Sequence, residues 1–215
     1  MTPSTRVVLA FLAAGLVVTA EWPQPVQAHF KLLEPASWLV EGERGDPQKA
    51  APCGSAPNDA TAKPTDVVGK AVGGSKLHLK MQETVYHPGH YRVALAVNSR
   101  DELPPDPVTT ERMTGRGAIS VWAVIQSPPQ MPVIADGLFQ HYTRPAPRTP
   151  PQPMIWETDV QLPNITCAKC TLQVIQFMAE HAYNNPGGYS YHHCADVAIA
   201  ADPAKPITTG WPAPK

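Results

Sequence analysis

Histidines are the residues of this chain with the most versatile chemistry. There are eight of them among 215 residues. Three places stand out by their surroundings: His29 near the N-terminus, the turn sequence His-Pro-Gly-His at residues 87–90, and Tyr-His-His-Cys at residues 191–194. Neutral imidazole is the commonest protein ligand of transition metals. Metal binding is therefore the first hypothesis, against the simpler interpretation that these histidines are solvated or packed without a ligand.

The segment before His29 has the pattern of an export signal. Residues 7–20 form an apolar run of 14 residues, which is too short for a membrane-spanning helix of roughly 20 residues. Val26 and Ala28 are small residues two apart, as before a signal-peptidase site. We predict that residues 1–28 are a signal peptide, that the mature protein begins at His29, and that it is secreted or periplasmic with no membrane anchor left.

A terminal histidine is a bidentate chelator. Its α-amine has a reference pKa of about 8 and its imidazole one of about 6.5, so both nitrogens are neutral donors at mild pH. With one internal histidine it supplies three nitrogens in a T shape, a tetragonal donor set that suits Cu(II). The sequence offers His87, His90 or His193 for the internal nitrogen, and an oxygen donor such as Tyr191 could complete the set axially.

Four cysteines allow three disulfide pairings in an exported protein. The C-x-x-C pair lacks the further soft ligands that a zinc site needs, and no βαβ pattern surrounds it as in a thioredoxin-like protein. We favour a local Cys167–Cys170 bridge at a turn and a long Cys53–Cys194 bridge. The long bridge would hold the last strand close to the N-terminal segment, and so bring Tyr191 or His193 near His29.

Residues so far apart in the chain need a rigid framework, and the sequence pattern predicts one made of strands. Pro accounts for 26 of the residues, more than twice its usual share, and it disfavours helix interiors. Alternating apolar residues between turn signals indicate an all-β, antiparallel sandwich over residues 29–201, followed by a Pro-rich tail at 202–215. The predicted strands are 76–83, 90–97, 118–125, 155–162, 171–179 and 189–200, and the predicted loops are 101–117 and 142–153.

Two classes of function are disfavoured by the residues themselves. Charged residues make up 16% of the chain and the formal net charge is -1, so the basic field that nucleic-acid binding requires is missing. Glycoside hydrolysis needs two carboxylates on either side of the scissile bond. Glu34, Glu83 and Glu180 are scattered along the sequence and form no convincing pair.

Three segments resemble the lytic polysaccharide monooxygenases and their bacterial relatives. Residues 29–38 (HFKLLEPASW) are similar to the family's N-terminus, and residues 83–95 (ETVYHPGHYRVAL) to the loop and strand that carry its second copper histidine. Residues 191–199 (YHHCADVAI) are similar to the closing strand of the cellulose-active fungal members, in which a Tyr three residues before a disulfide Cys lies axial to copper. The Cys53–Cys194 pairing agrees with this resemblance.

The resemblance implies an immunoglobulin/fibronectin-III-like β-sandwich with long Pro-rich loops, a monomer that holds one copper ion in a histidine brace. His29 would supply its amine and ring, His87 one ring nitrogen and Tyr191 the axial oxygen, with His90 as the fallback if the turn is registered differently. The fungal members have a Gln two residues before this Tyr, where the chain has Tyr189.

The activity that the resemblance implies is oxidative cleavage of glycosidic bonds in a polysaccharide such as chitin or cellulose. Cu(II) is reduced by an external electron donor, reacts as Cu(I) with O2 or H2O2, and a hydrogen is abstracted from C1 or C4 of a sugar. Gln176, His181 or Glu180 would steer the bound oxygen. Two other classes stay open: a non-catalytic copper-binding or copper-trafficking protein with the same brace, and a carbohydrate-binding module. The aromatics available to such a module are Trp38, Tyr91, Tyr142 and Trp156.

Overall fold

The computed structural model describes residues 29–56, 58–144 and 153–212, so the predicted signal peptide lies outside the described residues. The described residues form ten strands and a single turn of 3-10 helix at Arg100–Glu102, which confirms the predicted all-β class. No helix in these ranges is long and apolar enough to cross a membrane. The strands are β1 (His29–Glu34), β2 (Val68–Val72), β3 (Lys76–Val85), β4 (Gly89–Ala96), β5 (Thr109–Thr114), β6 (Gly117–Ala123), β7 (Val133–His141), β8 (Met154–Gln161), β9 (Cys167–Met178) and β10 (Ser190–Ala200).

The strands form the predicted β-sandwich. One sheet has the order β1-β3-β8 and the other the order β2-β10-β9-β4-β7, while β5 and β6 pair as a separate hairpin. The pairings are antiparallel, as predicted, except that β2 lies parallel to β10 at the edge of the larger sheet. Parallel neighbours need a long connection, and the chain between β1 and β2 supplies one.

A core of buried apolar side chains from both sheets holds the strands in register. Its fully buried members include Phe30, Leu79, Met81, Leu95 and Leu172. Burying each such side chain contributes about 1.5–3 kcal/mol. The strands that carry the candidate site residues are therefore held by the core and not by the site itself.

The six predicted strands are all present, but the sequence pattern misses β1, β2, β5 and β7. Residues 101–117, predicted as a loop, contain β5, which pairs with β6 through a turn at Gly115 and Arg116. Strand β5 is exposed along most of its length, so its sequence lacks the alternation that a buried face imposes. Of the other predicted loop, residues 145–152 lie outside the described part of the chain.

Both predicted disulfides, Cys53–Cys194 and Cys167–Cys170, are formed. The first joins the long segment after β1 to the middle of β10. The second was predicted at a turn but lies at the start of β9. There the three-residue step from Cys167 to Cys170 lies opposite the two-residue step from Val197 to Ile199. A β-bulge accounts for this mismatch.

The described part of the predicted tail lies against the sandwich. Asn164 is buried, and its side-chain amide donates hydrogen bonds to the carbonyls of Asp202, Lys205 and Pro206. Farther along, Trp211 packs against the core. This segment is therefore held on the folded unit as far as residue 212.

Replacing Asn164 is expected to loosen this attachment. Asn164→Ala leaves the three carbonyls without their donor, which costs about 1–3 kcal/mol and lowers the midpoint of thermal unfolding by roughly 2–4 °C per kcal/mol in a chain of this size. Thermal denaturation followed by circular dichroism measures the effect. Asn58→Ala, at an exposed position, is the control, and equal midpoints for the two variants would contradict the expectation.

Candidate metal centre

One end of the sandwich brings together the three segments that the sequence singles out. His29 begins β1 and is buried, and it lies opposite Val85, two residues before His87. Its ring centroid is 5.5 Å from that of Tyr191 in β10. The disulfide at Cys194, three residues after Tyr191, holds this strand next to the N-terminal segment. The predicted proximity of His29 and Tyr191 is present in the structure.

His87 and Gln176 are connected through the buried carboxylate of Glu83. The backbone N–H of His87 donates to Oε1 of Glu83 at 2.8 Å, and the side-chain amide of Gln176 donates to the same oxygen at 3.0 Å. Gln176 lies directly opposite Tyr191 in the β9–β10 ladder. Glu83 therefore joins the His87 segment to Gln176, the residue that faces Tyr191 across the ladder.

Glu83 itself is a functional candidate that sequence reasoning treated as isolated. Its Oε2 accepts a hydrogen bond from the indole N–H of Trp156 at 3.1 Å, and its Oε1 is 3.4 Å from Nε2 of His141. A carboxylate that is only 3% exposed is stable only where donors and charges compensate its lost hydration. The one signal in the sequence is its spacing, four residues before His87.

His141 is a second residue that the sequence analysis did not select. Its ring stacks on Trp156 with the centroids 4.8 Å apart. Burial lowers the pKa of His141, but the hydrogen bond to Glu83, the carbonyl of Phe139 and the charge of Glu83 outweigh burial, so the pKa is raised. The imidazole therefore gains a proton more readily than an ordinary histidine, beside the carboxylate that binds the backbone of His87.

Asp46 orients the ring of His29. Its carboxylate oxygen Oδ2 is 3.4 Å from Nε2 of His29. In a chelate formed by the α-amine and the imidazole of His29, the ring nitrogen that binds the metal is Nδ1. Only Nδ1 is near enough to the α-amine to close a six-membered chelate ring. The carboxylate thus contacts the nitrogen that such a chelate does not use, which is the usual arrangement of a metal-binding histidine.

Tyr191 presents a neutral phenol to this end of the sandwich. Its side chain is fully buried. Burial and the nearby charge of Asp46 raise the pKa of Tyr191 to about 12, and a contact with the side chain of Asn184 opposes the shift only in part. The oxygen is consequently protonated at neutral pH and suits a weak axial contact better than a strong anionic one.

Several buried polar atoms at the same end make no hydrogen bond. Among the described residues, they include the hydroxyls of Tyr86 and Tyr91 and the amide oxygen of Gln176. Gln176 lies opposite both Tyr91 and Tyr191 in its two ladders. Buried polar atoms in folded proteins are nearly always satisfied, so such a cluster indicates a site built for something other than stability.

The alternative ligand His193 makes hydrogen-bond-distance contacts elsewhere, and the alternative ligand His90 packs against Phe177. Nε2 of His90 is 3.9 Å from the buried carboxylate of Asp136, and burial lowers the pKa of His90 although Asp136 opposes the shift. The ring nitrogens of His193 contact the carbonyl of Phe30 at 2.9 Å and the carboxylate of Glu41 at 3.0 Å. His87 is therefore the internal histidine that we carry forward.

Of the residues predicted to steer oxygen, Gln176 and His181 lie near His87, and Glu180 lies farther out. His181 follows the end of β9, and its ring centroid is 4.9 Å from that of His87. Both rings line a surface groove of about 640 Å³. The carboxylate of Glu180 forms an ion pair with Arg112 at the same groove.

The predicted donor set fits copper better than it fits a metal that is bound only by side chains. In the part of the chain that the structure describes, no three His, Cys, Asp or Glu side chains are grouped as such a site would require. The predicted brace contains only two such side chains, His29 and His87, because its remaining donors are an amine and the Tyr191 phenol. Nitrogen donors of this kind favour Cu(II).

Comparison with known proteins gives no close relative. No protein-family model matches the chain, and no curated protein matches it. Among solved structures, the chain is similar to a lytic polysaccharide monooxygenase AA15 from Thermobia domestica in the Cu(I) state, with a TM-score of 0.39 and 16% sequence identity, covering 71% of this chain and 77% of that chain. A likeness of this degree carries no conclusion about activity, metal or individual residues.

Proposed function

We propose that the protein, once processed to begin at His29, is a secreted copper-dependent monooxygenase that cleaves glycosidic bonds of a polysaccharide by oxidation. The observation that carries the proposal is the setting of His29. This residue directly follows the predicted cleavage site, is buried beside Tyr191, and has its outer ring nitrogen against Asp46. Nothing in a purely structural role requires a histidine at the start of the mature chain in this arrangement.

Three residues of the chain would together bind one metal ion. The amine and Nδ1 of His29 and one ring nitrogen of His87 would be the three nitrogen ligands, and the neutral Tyr191 oxygen would be a further, weaker donor. Copper, when bound, supplies one-electron redox chemistry with an oxygen co-substrate and an external electron donor. Asp46 contacts the outer ring nitrogen of His29, and Glu83 accepts a hydrogen bond from the backbone N–H of His87.

Gln176 and His181 would hold or move protons beside the candidate ligands. Gln176 gives its amide N–H to Glu83, which leaves its amide oxygen as a buried acceptor opposite Tyr191. The ring of His181 lies next to that of His87 and lines the same groove.

Access from the surface favours an oxidase over a copper carrier. His87 and His181 line a surface groove of about 640 Å³. A trafficking protein needs only a route for the ion and a docking partner. The open groove beside the candidate ligands is better explained by a large substrate.

The test combines copper-loaded protein that begins at His29, a reductant and H2O2 with a panel of polysaccharides. We expect mass spectrometry to detect soluble oligosaccharides oxidised at C1 or C4, and His87→Ala to reduce them by at least about 100-fold because it removes a metal ligand. His78→Ala is the matched control, since His78 is exposed and pairs with Asp159 far from the site. Bound copper without products across the panel would favour the carrier.

A further inference from the structure

The groove beside His87 and His181 has walls from two separate elements. The β5–β6 hairpin supplies Arg112 and Arg116, and the segment after β9 supplies Glu180 and His181. Its volume of about 640 Å³ lies within the range of roughly 300–1,000 Å³ that is usual for ligand sites. The groove is therefore large enough for several sugar units and has a charged wall.

Two arginines give that wall a positive charge, and among the described residues only one of them is paired with a carboxylate. Arg112 pairs with Glu180, whereas Arg116 is exposed and makes no ion pair with any described residue. A guanidinium presents a planar fork of donors that matches a carboxylate bidentately. Two such groups lining one groove suit a ligand with repeated carboxylates better than a neutral sugar chain.

Glu180 occupies one of these guanidinium groups in the way that a ligand carboxylate would. Its side chain and that of Arg112 are 50% and 54% exposed, and an ion pair this accessible contributes little to stability. An incoming carboxylate can therefore replace Glu180 on Arg112 at small cost. Glu180 also has a φ of 56°, a left-handed conformation that is uncommon for residues other than Gly and is often found at functional sites.

We propose that this groove binds an acidic polysaccharide, a chain of uronic acid units whose carboxylates contact Arg112 and Arg116. This inference rests on the proposed function, because it identifies the substrate class of the same site. The chain would run along the hairpin and pass His181 and His87. Chitin and cellulose, which carry no carboxylates, would gain nothing from either arginine.

Gly115 offers a way to test the groove without disturbing the fold. It lines the groove between the two arginine positions, its φ is not in the left-handed region, and a Cβ added to it would meet no atom within 4 Å. Gly115→Asp therefore adds a negative charge to the wall without a steric conflict. Gly115→Ala adds the same Cβ without the charge.

The experiment is a calorimetric titration of metal-free protein with oligogalacturonate, cellohexaose, chitohexaose and a sulfated oligosaccharide. We expect binding of oligogalacturonate that weakens with salt, and a loss of affinity of about tenfold in Arg112→Gln/Arg116→Gln, since hydrogen bonds to charged groups are being removed. Gly115→Asp should bind more weakly than Gly115→Ala. Lys63→Gln/Lys70→Gln removes two positive charges at exposed positions outside the groove and so matches the change in net charge.

Equal binding of cellohexaose or chitohexaose, or unchanged affinity in the arginine double variant, would overturn the proposal. Tighter binding of the sulfated oligosaccharide would overturn the assignment to carboxylates. Because the titration is performed without copper, its result is independent of the brace. If the protein binds oligogalacturonate but no copper at His29, the acidic-glycan site is supported and the copper chemistry is not. If it binds copper but no oligogalacturonate, this proposal is wrong and the copper chemistry is unaffected.

Discussion

Protein that begins at His29 is expected to bind Cu(II) on the order of a thousandfold more tightly than protein that retains Ala28, a difference of about 4 kcal/mol. The additional residue converts the α-amine of His29 into an amide nitrogen, which is no neutral donor at mild pH. The chelate ring through the backbone is then lost, and two imidazoles remain. The contacts of the His29 ring with Tyr191 and Asp46 do not depend on that amine.

The measurement is a competition titration against a chelator of known affinity, followed by electron paramagnetic resonance of the Cu(II) form. We expect a superhyperfine pattern from three nitrogens in the processed protein and from two in the extended one. A protein extended by one residue at its C-terminus controls for processing in general. Equal Cu(II) affinities of the two N-terminal forms would contradict the terminal chelate, and with it the proposed activity.

The parts of the site that the sequence reveals are those that depend on local patterns. The export signal predicts the position of His29, the His-Pro-Gly-His turn that of His87, and the Cys194 neighbourhood that of Tyr191. Each is a short motif in which residue type and chemistry coincide. The disulfide to Cys53 then adds one long-range restraint, which is enough to bring the last strand to the first.

The residues that hold those ligands could not be predicted in the same way. Glu83 contacts Gln176, Trp156 and His141, which lie 93, 73 and 58 residues away in the chain. Such contacts follow from the register of four strands, and a shift of one residue would turn each side chain to the opposite face. Asp46 lies in the irregular segment after β1, where no periodicity indicates where a side chain will lie.

The groove was hidden from sequence reasoning for a different physical reason. Its hairpin wall, β5 and β6, leaves most of β5 exposed, so hydrophobic alternation, the main signal for a strand, is weak there. Residues that bind a polar ligand at the surface are selected for charge and not for burial. The sequence pattern therefore predicts a loop for Arg112 and Arg116, although Arg112 lies in β5 and Arg116 in the turn of the hairpin.

Removing the carboxylate of Glu83 is expected to have the largest effect on stability of any single substitution at the site. In Glu83→Ala, the backbone N–H of His87, the amide of Gln176 and the indole N–H of Trp156 lose their acceptor in a buried space. Breaking a buried, hydrogen-bonded charge costs about 3–5 kcal/mol, which corresponds to a decrease of roughly 6–20 °C in the unfolding midpoint. The raised pKa of His141 should also fall, because part of its cause is Glu83.

Two further variants separate this interpretation from a general effect of lost charge. Glu83→Gln keeps one acceptor oxygen for His87 and Gln176 but turns an amide donor toward the indole N–H, so we expect a smaller loss of stability than in Glu83→Ala. Glu157→Ala removes an exposed carboxylate paired with Lys80, which costs at most about 1 kcal/mol. If Glu83→Ala and Glu157→Ala unfold at the same temperature, Glu83 does not hold the His87 segment. If Glu83→Gln remains folded, a changed copper spectrum with intact metal binding would show that the carboxylate positions His87 through its backbone N–H.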